Sequence, residues 1–131
     1  MDRAPAPPST LLENVRAAAD AHDWERLRSL CHPDARLVLR FSGGRALSVD
    51  DALDVLRLEA EAGAPEPMHS YVDTIDERAA IAAGTVVRET SARYLCWLLT
   101  FVDGLLYRQA LFGSIGEARS AYAELGVDLG M

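Results

Sequence analysis

Hydrophobic residues recur three or four positions apart in four segments of the chain, and this spacing predicts four amphipathic helices with one apolar face each. A break at Ala21-His22-Asp23 separates the first helix from the second. The apolar faces consist of Leu12, Val15 and Ala19 in the first segment, Trp24, Leu27, Leu30 and Cys31 in the second, Val49, Leu53, Leu56 and Ala60 in the third, and Ile115, Ala118, Tyr122 and Leu125 in the fourth.

Three of the helices are preceded by a hydroxyl residue that is followed three positions later by an acid. Such a pair predicts a capping box, in which the hydroxyl accepts a hydrogen bond from a first-turn N–H group and the acid bonds back to the N–H of the cap. The pairs are Thr10 with Glu13, Ser48 with Asp51, and Ser114 with Glu117.

Six segments between the helices have the composition of strands and are bounded by turn residues. Gly43-Gly44 predicts a tight turn between the first two strands, and Asp103-Gly104 predicts a hairpin between the last two. The strands are expected at residues 36–41, 45–47, 68–75, 79–89, 93–102 and 105–112. The resulting order, α-α-β-β-α-β-β-β-β-α, predicts an α+β domain with a mainly antiparallel sheet and its helices gathered on one side.

The stretch CHPDARLVLRF places His32, Pro33 and Asp34 directly before an apolar run. A proline disfavours helical geometry at the residue before it, so the second helix is expected to end there. An aspartate that bonds its own backbone can then turn the chain. The alternative is that His32 reaches the mouth of a cavity and does acid–base chemistry with Asp34.

The length of 131 residues and the ordinary share of hydrophobic residues fit one globular domain. We expect a flexible lead-in at residues 1–8, a single domain at 9–126 and a C-terminal tail at 127–131. The net charge of −7 argues against nucleic-acid binding, which needs clustered basic residues. No apolar run is long enough for a membrane span, and the first residues lack the apolar core of a signal peptide.

The numbers and spacing of cysteines and histidines argue against a protein that depends on disulfide bonds or on a metal ion. Two cysteines, Cys31 and Cys96, do not make a disulfide framework, so a cytoplasmic location is expected. His22, His32 and His69 lack the spacing of a metal site, and no glycine-rich phosphate loop is present. We therefore expect no metal and no cofactor.

Three stretches of the chain resemble the nuclear transport factor two-like superfamily, which includes ketosteroid isomerases, limonene epoxide hydrolase, scytalone dehydratase and the SnoaL-like polyketide cyclases. The opening helix pair of that superfamily is similar to AAADAHDWERLRSLCHPDARLVL, its glycine-then-helix segment to GRALSVDDALDVLR, and its closing hairpin and last helix to FVDGLLYRQALFGSIGEARSAY. The resemblance covers about residues 9 to 126. It implies a cone-shaped, curved sheet wrapped over helices, with a cavity between them that hosts different activities in different members.

The resemblance also implies where an isomerase would carry its catalytic groups. The carboxylate base falls at Leu39, the aspartic acid of the oxyanion hole at Trp97, and the tyrosine at about Val15. None of these three residues can do that chemistry, and the last strand closes on Gly113, where SnoaL-like proteins often have an acid. The first hypothesis is therefore a SnoaL-like domain with a mostly apolar cavity that binds a small hydrophobic molecule.

Alternation along the strands, combined with the resemblance at Ala110 and Phe112, predicts which side chains face the cavity. The predicted lining consists of Val15, Trp24, Leu27, Leu39, Phe41, Leu53, Leu56, Ile81, Thr85, Val87, Leu95, Trp97, Leu99, Arg108, Ala110 and Phe112.

A second hypothesis is an isomerase, dehydratase, cyclase or epoxide hydrolase that acts on a small molecule and uses Arg108 with His69, Asp73 or Glu89. A cavity arginine needs a partner, because an unpaired buried charge is costly. Arg108 could pair with Glu89 at the rim or anchor a carboxylate or carbonyl of a ligand. The pattern of strand 68–75 leaves open whether the face with His69 and Asp73 points inward.

The segment RYLCWLLTF is apolar on both of its faces. If Trp97 and Leu99 face inward, the alternate residues lie outside. That outer face then carries Tyr94, Cys96 and Leu98, although a solvated sheet face should be polar. A covered outer face predicts a homodimer through the sheet, with burial under the last helix or the tail as the alternative. A dimerisation or accessory module with a filled core is the third hypothesis for function.

Overall fold

The computed structural model describes residues 6–40, 42–63, 68–88 and 91–131. Its helices and strands follow the predicted order. They are α1 (Pro8–Asp20), α2 (Trp24–Ser29), β1 (Cys31–Val38), β2 (Ala46–Leu47), α3 (Val49–Glu61), β3 (Met68–Asp76), β4 (Ala79–Arg88), β5 (Ser91–Val102), β6 (Leu105–Phe112) and α4 (Ile115–Leu125). In the described part of the chain no helix has the length and hydropathy needed to cross a membrane.

The six strands form one curved sheet in the order β2-β1-β6-β5-β4-β3. β1 and β6 run parallel, and every other neighbouring pair is antiparallel. β1 begins earlier than expected, at Cys31, because that residue lies opposite Leu106 of β6 and the Leu106 N–H donates to the Leu30 carbonyl (2.9 Å). The predicted α+β class with a mainly antiparallel sheet is confirmed.

The sheet separates two hydrophobic clusters, one on each of its alternating faces. The inner cluster packs α1, α2 and α3 against one face, and the outer cluster packs α4 against the other. Members of the inner cluster include Leu12, Val15, Leu27, Leu37, Leu39, Leu53, Ala82, Leu99 and Leu106; the outer cluster consists of Ala79, Ile81, Leu98, Ala110, Ala118 and Leu129. The expectation that all helices gather on one side is wrong for α4, because a helical period shows an apolar face without showing which sheet face it covers.

The hydroxyl half of the predicted capping box is confirmed at two of the three helix starts. Ser48 and Ser114 each accept a hydrogen bond from the N–H three residues on, at 3.3 and 3.1 Å. The cap predicted at Thr10 is wrong because α1 begins at Pro8 without a side-chain cap, as suits proline in a first helical turn. Between α1 and α2, Asp23 caps the second helix.

The predicted hairpin at Asp103-Gly104 connects β5 and β6. Both residues have positive φ, 54° and 76°, in the left-handed region that a two-residue hairpin turn requires. This turn lets the consecutive strands β5 and β6 pair directly.

The His32-Pro33-Asp34 stretch makes local contacts at the start of β1. The His32 Nδ1 atom accepts a hydrogen bond from the Asp34 N–H (3.0 Å), so the imidazole rather than the carboxylate holds this bend. The His32 ring also meets the Tyr107 ring edge-on, with 5.2 Å between centroids. These contacts are structural, as the first interpretation of this stretch expected, although α2 ends earlier than expected, at Ser29.

Polar contacts hold α4 and the residues after it on the outer face. The Tyr122 hydroxyl lies 3.0 and 2.8 Å from the two carboxylate oxygens of Asp76 at the end of β3. Beyond the helix, the buried Thr100 hydroxyl donates to the Val127 carbonyl (2.7 Å), and Leu129 joins the outer cluster. Residues 127–131, which were expected as a tail, therefore pack on the sheet.

The contact between Tyr122 and Asp76 predicts a pH-dependent stability. Burial, together with the hydrogen bond to Asp76, raises the pKa of Tyr122 from 10.0 to about 12. A raised pKa means that the stabilisation is complete below pH 10 and is lost as the pH rises to 12. Because the contact is partly exposed, Tyr122→Phe should lower the free energy of unfolding by only about 1 kcal/mol at pH 7 to 9. In urea unfolding, the difference from wild type should shrink between pH 10 and 12.

A substitution on the exposed side of the same helix serves as the control for that measurement. Glu124→Gln should change the free energy of unfolding by less than about 0.5 kcal/mol at every pH. A Tyr122→Phe effect that stays constant up to pH 12 would contradict the assigned contact.

Candidate functional site

A cavity of about 210 Å³ lies between the inner face of the sheet and the helices α1, α2 and α3. Its wall is mainly aliphatic and aromatic, which is typical of sites for small organic molecules. The sheet side is lined by Leu37, Leu39, Ala82, Trp97, Leu99, Leu106 and Gln109, and the helix side by Leu12, Val15, Ala19, Trp24, Leu27, Leu56 and Ala60.

Charged and aromatic groups surround the opening of the cavity. The exposed residues Asp20 and His22 mark this opening. The His22 ring stacks on the Trp24 ring, with 5.4 Å between centroids and 9° between ring planes. Arg16 lies on the same side and pairs with Glu13 (2.7 Å). The charged residues of the wall are Arg16, Asp20, Arg40 and Glu59.

Gln109 is the only polar residue of the cavity wall that lies within a described strand. Its neighbours across the sheet are Leu37 of β1 and Leu99 of β5. The Gln109 Nε2 atom donates to the Val38 carbonyl (3.2 Å). This bond holds the amide and leaves its oxygen and second hydrogen without a partner among the described residues.

Seven of the predicted lining residues form part of the wall: Val15, Trp24, Leu27, Leu39, Leu56, Trp97 and Leu99. Among them are the three positions to which the resemblance assigns catalytic groups, Val15, Leu39 and Trp97. Leu53 and Leu95 are buried but lie outside the wall.

A β-bulge interrupts the alternation of β6. Phe101 of β5 lies opposite Leu106. The next residue of β5, Thr100, lies opposite Arg108, so Tyr107 is an extra residue in β6. One extra residue reverses the faces of every side chain that follows it in the strand.

The bulge removes three predicted residues from the cavity. Ala110 and Phe112 pack with the outer cluster, and Arg108 is likewise turned to the outer side. Gln109 takes the inner position instead. The prediction started from Ala110 and Phe112 as inward residues, and Arg108 followed from them by alternation. Because the extra residue precedes all three, they lie on the outer face instead.

The register between β4 and β5 reverses the predicted faces of β4. Trp97 lies opposite Ala82, and directly opposed residues share a face of the sheet. Ala82 therefore lines the cavity, whereas Ile81 belongs to the outer cluster, and Thr85 and Val87 alternate on the same side as Ile81. The prediction placed β4 one residue out of register with β5. Such a shift moves every side chain of β4 to the opposite face of the sheet.

Arg108 is a buried cation with no Asp or Glu partner among the described residues, and it is only 7% exposed. Its Nη1 atom donates to the Asp34 and Tyr107 carbonyls (2.9 Å each), and its Nη2 atom donates to the Met131 backbone oxygen (3.2 Å). The guanidinium carbon also lies 3.9 Å from the centroid of the Tyr107 ring. Backbone oxygens and an aromatic face thus stabilise its charge.

Asp73 lies on the outer side of β3, next to α4. The Tyr71 hydroxyl donates to the Asp73 carboxylate (3.1 Å), and Arg119 pairs with the same carboxylate (3.2 Å). Val72, the residue between them, packs against the inner cluster. The face of β3 that carries Asp73 is therefore the outer one.

Three predicted site groups fall outside the described part of the structure: Phe41, Glu89 and the side chain of His69, which lies in β3. The catalytic set predicted as an alternative thus has two described members. Neither Arg108 nor Asp73 lines the cavity.

The described residues support neither a metal site nor a reactive cysteine. They contain no group of three or more His, Cys, Asp or Glu side chains that could hold a metal ion. Both cysteines are free and buried. Burial raises the pKa of the Cys31 thiol to about 11 against a weaker opposing effect of Arg28, and burial also raises the pKa of Cys96. Neither is a thiolate nucleophile at neutral pH.

The charged residues of the wall and Gln109 were not predicted, although the sequence contains an indication of each. Arg16 follows Leu12 by four positions and so continues the inner stripe of α1. In β6 the adjacent apolar residues Leu105 and Leu106 break strict alternation, which indicates an irregularity before Gln109.

No family model and no curated protein sequence matches the chain. Solved structures do match it. A candidate ketosteroid isomerase from Kribbella flavida is 18% identical with a TM-score of 0.65, over 82% of this chain and 77% of that one. A candidate polyketide cyclase from Sinorhizobium meliloti is 20% identical with a TM-score of 0.66, over 79% of this chain and 94% of that one.

A third similar structure is that of TerC, co-crystallised with polyporic acid. It is 17% identical with a TM-score of 0.66, over 92% of this chain and 98% of that one. At such identities the likeness lies in the fold. The chain has the nuclear transport factor two-like fold that the resemblance implied.

The position of the cavity predicts that the same substitution destabilises the protein less at one of two adjacent alanines of β4 than at the other. Ala82 and Ala83 are 1% and 0% exposed, but only Ala82 lines the cavity. Ala82→Leu can extend into open volume and should cost less than about 1 kcal/mol of unfolding free energy. Ala83→Leu enlarges a side chain on the packed outer side and should cost about 1–3 kcal/mol or more. Urea unfolding of both variants measures the difference, and equal large losses would show that the cavity is not there.

Proposed function

We propose that the protein binds a small hydrophobic molecule in the cavity between its sheet and the helices α1, α2 and α3. The proposal does not include the isomerase chemistry of this fold, because the positions that would carry it are apolar.

The observation that carries the proposal is the combination of an open cavity with apolar side chains at Val15, Leu39 and Trp97. All three line the cavity, and none offers a carboxylate or a phenol. A ligand that covers such a wall removes apolar surface from water, which stabilises the complex by about 25 cal/mol for each Å². Apolar side chains at these three positions leave the isomerase chemistry without its acid and base, which favours binding over that proton transfer.

The similar structures support a small organic molecule as the ligand. TerC, whose fold is alike over almost its whole length, was co-crystallised with polyporic acid. Candidate polyketide cyclases from Sinorhizobium meliloti and Xanthomonas campestris share the fold as well. We extend from them only the class of ligand, a small, mainly apolar molecule.

The two other hypotheses have weaker support. Catalysis by Arg108 with Asp73 is disfavoured because both side chains lie on the outer side of the sheet, away from the cavity. A pure dimerisation module with a filled core is disfavoured by the volume of about 210 Å³ that remains open.

We also propose a homodimer, with an interface that covers only one end of the outer sheet face. Leu98 and Cys96 are already buried within the chain, so a partner would have to use the end of that face where Val87 and Tyr94 are exposed. Light scattering at micromolar concentration would then give twice the monomer mass, and a monomer would contradict the dimer.

A cytoplasmic location also remains a proposal, supported by the two free cysteines.

Tryptophan fluorescence can test ligand binding directly, since both tryptophans of the chain, Trp24 and Trp97, line the cavity. Three bicyclic probes of suitable size are indane, 1-indanone and 1-indanol. At least one should change the fluorescence saturably, with a Kd of about 0.1–1 mM, or roughly −4 to −5.5 kcal/mol. Ala82→Leu should weaken this binding at least tenfold because its side chain fills the cavity.

Leu58→Ala provides the control, because Leu58 lies on α3 two residues beyond the wall residue Leu56 and is 64% exposed. It should leave both the fluorescence response and the affinity unchanged. The absence of saturable binding by any probe, or binding that Ala82→Leu does not weaken, would refute the proposed function.

A further inference from the structure

We propose that the side-chain amide of Gln109 is the polar recognition group of the cavity, and that the ligand presents a neutral oxygen to it, either a carbonyl or a hydroxyl. This inference rests on the proposed function, because it names the chemistry of the molecule bound at that site.

The bulge at Tyr107 gives Gln109 its place in the wall. Without the extra residue, Arg108 would face the cavity and Gln109 the outer side. With it, an amide stands between Leu37 and Leu99 on a sheet wall that is otherwise apolar in the described strands. A hydrophobic cavity with a single polar group on the described strands of its wall is suited to fixing the orientation of a mainly apolar molecule.

The Gln109 amide is held in advance of binding. Its Nε2 atom donates to the Val38 carbonyl (3.2 Å), which also settles the positions of nitrogen and oxygen in the amide. The second N–H can donate to a carbonyl or hydroxyl oxygen, and the amide oxygen can accept from a hydroxyl. A group that is already positioned loses little freedom on binding, so its hydrogen bond adds to affinity.

A purely hydrocarbon ligand would strip water from the amide without replacing its hydrogen bonds. A buried polar group left without a partner is unfavourable. A site built around such a group therefore discriminates against a ligand that lacks the matching oxygen. We expect a preference of about tenfold for the oxygen-bearing molecule.

The charges around the cavity favour a neutral oxygen over a carboxylate at this position. The cation of β6, Arg108, is turned to the outer side and bonded to backbone oxygens. The charged residues of the wall are two arginines, Arg16 and Arg40, and two acids, Asp20 and Glu59, so their formal charges cancel. None of them comes from the described strands that flank Gln109.

The size of the cavity restricts the ligand further. Its volume of about 210 Å³ lies below the roughly 300–1,000 Å³ that is usual for the sites of drug-sized ligands. A molecule of one or two rings fits this space. The ligand class is therefore a small, mainly apolar ketone or alcohol.

The composition of the chain allows Gln109 to be observed by itself. It is the only glutamine of the sequence, and Asn14 is the only asparagine. The side-chain NH₂ groups in a ¹H–¹⁵N correlation spectrum therefore come from these two residues alone, and Asn14 serves as an internal control because it lies outside the cavity wall.

The experiment titrates wild type and Gln109→Leu with indane, 1-indanone and 1-indanol. Affinities are read from tryptophan fluorescence, and the side-chain amides are followed by NMR. For wild type, the ketone and the alcohol should bind about tenfold more tightly than indane and should shift the Gln109 resonances but not those of Asn14. In Gln109→Leu the three probes should bind with equal affinity.

Binding of all three probes to wild type with equal affinity, or a preference that survives in Gln109→Leu, would overturn the role of Gln109 and leave the proposed function standing. Binding of none of the probes would overturn both. Should Gln109→Leu fail to fold, the ranking of affinities in wild type and the shift of Gln109 relative to Asn14 decide the matter.

Discussion

A single extra residue in β6, Tyr107, determines which side chains of that strand meet the cavity and which meet the outer layer. Because strand side chains alternate, the bulge exchanges the two sets beyond it. The cation Arg108 turns outward to backbone carbonyls of β1 and of the C-terminal segment, and the neutral amide of Gln109 turns inward. The chemistry of the cavity and the anchoring of the chain after α4 thus depend on the same irregularity.

Both faces of the sheet pack against a hydrophobic cluster, and the small alanine side chains of β4 allow close packing on each face. Ala80 and Ala82 face the inner cluster while Ala79 faces the outer cluster, so helices can pack closely on both sides. A small residue at position 82, opposite Trp97, leaves space between the sheet and α1. The cavity therefore results from the small side chains of β4 as much as from the curvature of the sheet. Leu39 and the other apolar side chains of the sheet make its wall apolar.

Much of the fold follows from local patterns in the sequence. The strands at 105–112 and the helix at 115–125 are bounded by Asp103-Gly104 and Ser114, whose turn and cap chemistry is local, and the resemblance to a known superfamily supplied their arrangement. The face of each strand was less predictable. It depends on the pairing of Ala82 with Trp97 and on the bulge at Tyr107, which are tertiary features that alternation alone does not contain. Trp97 and Leu99 were placed correctly by alternation within β5. Ile81 and Arg108 were not, because their faces depend on the register and on the bulge.

The most direct test of this account is the environment of the Gln109 side chain in the free protein, measured by NMR through nuclear Overhauser effects from its NH₂ protons. The paired residues Leu37 and Leu99 lie beside it on the inner face, with Cβ atoms about 5 Å apart in such pairs. The account predicts cross-peaks to the methyl groups of these two leucines. Cross-peaks to Leu98 or Ile81 of the outer cluster instead would place Gln109 on the other side of the sheet and contradict it.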